Sequence, residues 1–264
     1  MKVYIFTDYG NVFVLETLKN LLSSHGHQVE VVKSMHHLNP DSNVIISTNV
    51  STQSQIFQRY WGGHNIYGMI DNKIQFYQYI VRNAYLCYDN NVHLIPSYDK
   101  GYTGPNITKQ YMVKAANGFS GKFNQVKHAS IYSLIQQYGN THQIEDLLSV
   151  KHIYGVSVCC KLGKIIGAYS YLTNGPITST SFHADRTTNI RFPEVKGFMK
   201  AMVANLNLNG IIEVEFLIDH SNKIFVMECN PRISGSVRVP HYYNSIIEPY
   251  LRTFCDKTVN EINL

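Results

Sequence analysis

The chain reads as an α/β protein whose later part is α+β, and three observations predict this. Residues 1–50 alternate an apolar run, a helical pattern and further apolar runs. Residues 152–172 and 211–230 each hold two alternating apolar runs around a short turn, the mark of antiparallel hairpins. Between the hairpins, residues 193–208 carry a helical pattern opened by Pro193 and closed near Gly210.

The elements follow in order. Val3–Phe6 is a short run of β-formers. Asn11 is placed to cap the next helix, where Val14, Leu15, Leu18, Leu21 and Leu22 recur at helical spacing, and Gly26 stands where a left-handed cap is wanted. The runs 28–32 and 43–47 complete a βαβ pattern, which implies a parallel sheet with a right-handed crossover. This Rossmann-like unit has no G-x-G-x-x-G, so a dinucleotide fingerprint is absent. Residues 51–70 form a loop or helix around Trp61, Gly62 and Gly63, and residues 71–82 form a helix. Pro96, Gly101, Gly104 and Pro105 mark turns before a strand at 110–116 and a loop at 117–122. Residues 128–138 are helical, and the 152–172 hairpin turns at Leu162-Gly163. A boundary near residue 70 divides the chain into an N-terminal subdomain, 1–70, and a larger unit, 71–264.

Composition narrows the function classes. The 44% hydrophobic and 16% charged residues exclude disorder as the dominant state. No apolar run approaches the ~20 residues of a membrane span, and Asp8 comes too early for a signal peptide, so a cytoplasmic location is expected. The net charge of +5 is scattered, which argues against nucleic acid and suits a small anionic ligand such as a nucleotide. The five cysteines include no C-x-x-C and are expected as reduced, buried thiols. His25, His27, His36, His37, His64 and His93 have no metal-ligand spacing.

Residues 211–236, IIEVEFLIDHSNKIFVMECNPRISGS, are the most informative segment. With His220–Lys223 as the loop, Glu215 faces Glu228, Glu213 faces Asn230 and Phe216 faces Met227. Val214, Phe216, Ile218, Phe225, Met227 and Cys229 then share the apolar face. Two like charges directly opposite destabilise a sheet. A hard divalent cation relieves them, and the Asn230 carboxamide completes an oxygen set of the Mg²⁺ type, whose remaining ligands are commonly waters and substrate phosphates. Arg232 follows two residues on, with a fork suited to phosphate or carboxylate. The alternative is a solvated acidic face with Arg232 as its counter-ion. The E-x-N-P-R order after a hairpin favours the metal.

This segment resembles the metal-binding hairpin of the ATP-grasp superfamily, which includes biotin carboxylase, carbamoyl phosphate synthetase, D-alanine–D-alanine ligase and many peptide ligases. The resemblance implies two α+β subdomains gripping ATP, with residues 108–160 as the central, lid-like one. It implies that Glu215, Glu228 and Asn230 hold Mg²⁺ (two ions, with Mn²⁺ as an alternative), and that Arg232 contacts the transferring phosphate or an acyl phosphate. Residues 69–80 resemble the family's leading helix, where Lys73 would reach the ATP phosphates. Residues 111–122 resemble the strand and loop over the nucleotide. Lys114 would there meet the α-phosphate, and the amides around Gly118, Ser120 and Gly121 the β- and γ-phosphates. Residues 143–153 resemble the adenine hinge, with Glu145 and Leu147 at the base and His152 at a nucleotide-contacting position.

The activity implied is carboxylate activation by Mg·ATP as an acyl phosphate, followed by attack of an amine or other nucleophile, with ADP and phosphate as products. The partners implied are a small carboxylate and an amine, and a homodimer, as in many relatives. Other phosphoryl chemistry on the same fold (carboxylation, carbamoyl phosphate formation, a small-molecule kinase) and a non-catalytic nucleotide-binding protein are the competing readings. His183, Asp185, Arg186, Arg191, Arg238 and His241 are either solvated or part of an acceptor site.

Overall fold

The computed structural model describes residues 1–7, 12–34, 36, 38–39, 41–46, 55–117, 124–174, 185–187, 189–233 and 240–254. Asn11, Gly118, Ser120, Gly121, His183, Arg238 and Cys255 lie outside them.

The chain opens with β1 (Lys2–Phe6), α1 (Val12–Ser24), β2 (Gln28–Val32) and β3 (Val44–Ile46). They form a parallel sheet of order β2-β1-β3. Leu18 and Leu22 of α1 are fully buried, as their four-residue spacing requires of one helix face. Gly26 ends the helical turn at φ +79°, a conformation that side-chain-bearing residues rarely adopt.

Residues 55–88 are four helices: α2 (Gln55–Trp61), α3 (His64–Asp71), α4 (Lys73–Arg82) and α5 (Tyr85–Tyr88). The helix expected over 71–82 thus begins at Lys73, because Asn72 caps it by accepting from the Gln75 amide. Two short strands, β4 (His93–Leu94) and β5 (Ser97–Tyr98), fall in the Pro/Gly region. They lead to β6 (Thr108–Ala115), β7 (Gln125–Ser130), α6 (Ile131–Tyr138) and β8 (His142–Asp146). The helix foreseen at 128–138 begins only at Ile131. Residues 125–130 pair with β6 instead, and Ser130 caps α6.

The long hairpin is β9 (Val150–Lys161) and β10 (Lys164–Asn174), turning at Leu162 (φ +48°) and Gly163 (φ +71°). Two consecutive positive φ angles match the right-handed twist of the flanking strands. Then come β11 (Asp185–Thr187), α7 (Pro193–Asn205), β12 (Gly210–Asp219) and β13 (Ile224–Asn230). Residues 240–254 close the chain with α8 (Pro240–Tyr242), a π-helical turn (Tyr243–Ile247) and α9 (Glu248–Phe254).

A six-stranded sheet of order β11-β10-β9-β12-β13-β4 is the spine, and a four-stranded antiparallel sheet of order β5-β8-β6-β7 stands apart from it. The N-terminal sheet, the helices other than α6 and the spine share one hydrophobic core. The four-stranded sheet has its own small core of Tyr111, Val113, Ile131, Leu134 and Ile144. Strand β9, grouped with the central unit in the sequence reading, pairs with β10 and β12 and so belongs to the spine. Cys87, Cys159, Cys160 and Cys229 are buried free thiols, which burial pushes up and leaves unreactive.

Candidate active site

The β12–β13 pairing puts Glu213 opposite Asn230 and Glu215 opposite Glu228. On the other side of β12, Glu215 faces Gly155 and Glu213 faces Ser157 of β9. Paired residues project to one face, so three carboxylates and a carboxamide lie together on the spine. Ser157 Oγ donates to Glu213 Oε2 at 2.6 Å. Gly155 leaves room for the ring of Tyr171, its register partner on β10; a Cβ at 155 would lie 2.1 Å from that ring.

Past Glu215 the register slips by one residue, and Phe216 faces Val226 rather than Met227. Met227 is left unopposed in a β-bulge, and the parity of β13 inverts beyond it. Ile224 and Val226 therefore join the main core beside Phe216 and Ile218, while Phe225 and Met227 turn to the carboxylate side and pack on Ile95, Ile153 and Leu217. This corrects the expected apolar face. Residues 224–227 are apolar in both parities, so alternation could not choose between them.

Cationic groups approach this face from other elements. Lys73, at the first turn of α4, places Nζ 3.2 Å from Glu228 Oε2. Lys114 of β6 pairs with Glu145 of β8, and both are almost fully buried. Arg232 donates through one nitrogen to Asp71, at the end of α3, and through the other to Asn230 Oδ1 at 2.6 Å. Asn230 Nδ2 reaches Glu228 Oε1 at 3.4 Å. Asp71 was not anticipated. An acid at a helix junction carries no pattern, and its partner lies 161 residues away.

Burial pushes the Glu215 carboxyl well above the usual range, and the charges of Glu228 and Glu213 push it further. Burial also acts on Glu228, but Lys73 and Lys114, the hydrogen bond from Lys73 and the charge of Arg232 outweigh it and bring that group down. Burial raises Glu145, against the opposing pull of Lys114. Burial and the three nearby glutamates raise the Tyr171 phenol well above its ordinary value. One carboxylate of the opposed pair is thus neutralised by lysine and the other is frustrated.

No group of three His, Cys, Asp or Glu side chains among the described residues is arranged to hold a metal. The candidate set is two carboxylates and a carboxamide. They are hard oxygen donors, the ligand type that Mg²⁺ takes.

The remaining predicted residues are placed as follows. Leu147 is surface-exposed in the connection after β8. His152 is in register with Ile218, on the opposite face of the spine from Glu215, and its Nδ1 engages the Thr173 carbonyl at 3.1 Å; it is not brought into the cluster. Gly118, Ser120 and Gly121 fall outside the described residues. His241 is exposed, and the Arg191 backbone amide donates to the Tyr154 hydroxyl.

No family model matches the sequence, and no curated protein matches it. Solved structures do. N5-carboxyaminoimidazole synthetase from Staphylococcus aureus is similar at a TM-score of 0.63 and 12% identity, over 96% of this chain and 77% of that one. D-alanyl-alanine synthetase A from Vibrio cholerae O1 biovar eltor is similar at a TM-score of 0.64 and 11% identity, over 98% and 99% of the two chains. N5-carboxyaminoimidazole synthase from Aspergillus clavatus, in complex with ADP and an aminoimidazole ribonucleotide, is similar at a TM-score of 0.60 and 13% identity, over 97% and 76%. At these identities the likeness is one of architecture, and with the spine, the separate four-stranded sheet and the N-terminal parallel sheet in place, the chain has the ATP-grasp fold.

Proposed function

We propose that the chain is an ATP-dependent ligase that activates a small carboxylate as an acyl phosphate and couples it to an amine. The observation that carries this reading is the buried Glu215–Glu228 pair, with Asn230 beside it and Lys73, Lys114 and Arg232 supplied from separate elements. Enzymes of this fold that join carboxylates to amines support it.

Mg²⁺ held by Glu215, Glu228 and Asn230 would neutralise the charge on the transferring phosphoryl group. Lys73 and Lys114, whose ammonium groups carry three donors each, reach the nucleotide phosphates while keeping Glu228 and Glu145 paired. An oxygen of the substrate carboxylate attacks the γ-phosphorus and the bond to the ADP oxygen breaks. Arg232, pre-oriented by Asp71, contacts the resulting acyl phosphate through its planar fork. The amine then attacks the acyl carbon, inorganic phosphate departs with the bonding pair, and the proton shed by the amine nitrogen goes to the departing phosphate. No side-chain nucleophile is needed, and residues 71–82, 108–146 and 211–232 supply the whole set.

The test is ADP release with Mg·ATP across a panel of amino acids and small carboxylic acids, offered singly and in pairs. A ligase turns over only with a carboxylate and an amine together. Turnover with one substrate that lacks an amine identifies a kinase, whereas an amino acid offered alone can serve as both carboxylate and amine. A rise in melting temperature with Mg·ATP but no ADP under any pairing identifies a binding protein and overturns the ligase reading.

A further inference from the structure

We infer that Asp71 is a positioning residue of the candidate metal site: acting through Arg232, it fixes which atom of the Asn230 carboxamide is offered to the metal. The inference rests on the Mg·ATP reading above and extends it to a residue outside the ligand set.

Asn230 ends β13, and the chain turns sharply after it. The Arg232 backbone amide donates to the Asn230 carbonyl at 2.9 Å, closing a three-residue turn with Pro231 at its centre. The fixed φ of proline suits that central position. The turn brings the guanidinium back onto the carboxamide. Nη2 donates to Asn230 Oδ1 at 2.6 Å, and Nη1 donates to Asp71 Oδ1.

A carboxamide can rotate by half a turn with little change of shape, exchanging an acceptor for a donor. Here it is held at both ends. A guanidinium has donors and no acceptor, so the atom that meets Arg232 is the oxygen. Asn230 Nδ2 faces Glu228 Oε1 at 3.4 Å, a long contact, and the guanidinium supplies the firmer grip. A carbonyl oxygen has two lone pairs. Arg232 takes one, and the other is the one a cation would use. A reversed carboxamide would turn its NH₂ to the cation instead.

Arginine is long and rich in rotamers, so its pose must be fixed at the far end. Asp71 supplies that anchor from a well-tied junction. It is the last residue of α3, and Asn72 beside it caps α4. The Lys73 amide donates to the Ala116 carbonyl at 2.9 Å, and Lys73 Nζ lies 3.2 Å from Glu228 Oε2. Two largely buried ion pairs, Asp71–Arg232 and Lys73–Glu228, therefore run side by side from one helix junction to one strand end. Asp71 also balances the guanidinium charge next to the oxygen that would meet the cation. Outer partners that orient a ligand in this way commonly change metal affinity by about ten- to a hundredfold.

The experiment measures how far Mn²⁺ tightens the binding of adenylyl imidodiphosphate, a non-hydrolysable ATP analogue, by calorimetry of the full chain with Mn²⁺ and with a chelator. In Asp71→Asn this gain should shrink about tenfold, while binding in chelator stays at the parent value. Arg232→Met separates orientation from charge. Loss of a nearby positive charge alone would enlarge the gain, whereas loss of the grip on Asn230 should shrink it. In the Arg232→Met background, Asp71→Asn should have a smaller effect than in the parent. A gain unchanged in Asp71→Asn, a gain enlarged in Arg232→Met, or equal effects of Asp71→Asn in the two backgrounds each overturn the inference and leave the ATP reading standing. Arg232→Met leaves the helix junction intact and decides the matter if Asp71→Asn does not fold. A parent that binds the analogue without any gain from Mn²⁺ overturns the metal assignment, and one that does not bind it at all overturns the ATP reading; the inference falls with either.

Discussion

The spine and the four-stranded sheet both carry buried charge, but they carry it differently. The spine is packed on the main core and holds Glu213, Glu215 and Glu228 in fixed register. The four-stranded sheet rests on a five-residue core of its own and presents Lys114, neutralised within the same sheet by Glu145. On the spine, Glu228 finds its lysine only by reaching another element, and Glu215 is left with a raised proton affinity. The anionic surface is therefore rigid and incompletely compensated, a state that favours an incoming cation. The cationic surface is compensated in place and backed by few contacts.

That contrast can be broken at four points. The largest effect is expected from Glu228→Gln. It keeps the shape but removes the charge that faces Lys73 and Glu215 and turns one of the two acceptor oxygens into a donor, and ADP formation should fall at least ~10³-fold, within the range for loss of a principal electrostatic group. Far-ultraviolet circular dichroism should stay unchanged, and ADP production near the parent rate would refute the assignment of Glu228.

Next in size is Lys114→Met. It leaves Glu145 buried without its partner and should cost about 3 kcal/mol in urea unfolding. Replacing both residues, Lys114→Met with Glu145→Leu, should recover most of that loss, because a buried pair contributes little over apolar groups of similar size. If the double variant is no more stable than the single one, the pair is not the self-contained unit described.

A smaller loss, about 1–3 kcal/mol, is expected for Gly155→Ala, which forces a methyl group into the Tyr171 ring. Chemical denaturation measures it. An unchanged midpoint would show that the ring moves freely and that the spine is looser than its packing implies.

The subtlest effect concerns pH. The native carboxyl of Glu215 is raised, so the native state binds more protons than the unfolded chain above the usual glutamate range. Stability of the metal-free protein should therefore fall as pH rises from that range through the raised native value. In Glu215→Gln this component of the slope should vanish, and stability at neutral pH should exceed that of the parent while Mg·ATP no longer stabilises it. A steeper slope in the variant would mean that the pair is not frustrated.

Much of the candidate cluster was legible because its signals are local. Glu215, Glu228, Asn230 and Arg232 sit within eighteen residues, and alternation fixes their face as long as the register holds. The bulge at Met227 escaped because Ile224, Phe225, Val226 and Met227 satisfy an apolar pattern in either parity. Asp71 escaped for a different reason: its role comes from a partner 161 residues away, and it is not unusual in its own segment. Glu145, read from the sequence as a nucleotide contact, is held here by Lys114, a pairing set by the β6–β8 register across thirty-one residues rather than by any local motif. The two-residue strands β4 and β5 are too short to leave a periodicity.

Trp61 gives the N-terminal third a bearing on protein engineering. Its ring lies where a Cβ at Gly210 would stand, 2.2 Å away, and its Nε1 donates to the Tyr250 hydroxyl, which donates onward to the Val44 carbonyl. One indole thus rivets the first strand of the β12–β13 hairpin to the closing helix and, through it, to the parallel sheet. Severing the polypeptide at residue 70 would not release a self-sufficient second half. It would tear out this rivet and expose a greasy scar, so transplanting the hairpin into another scaffold requires carrying the first seventy residues along.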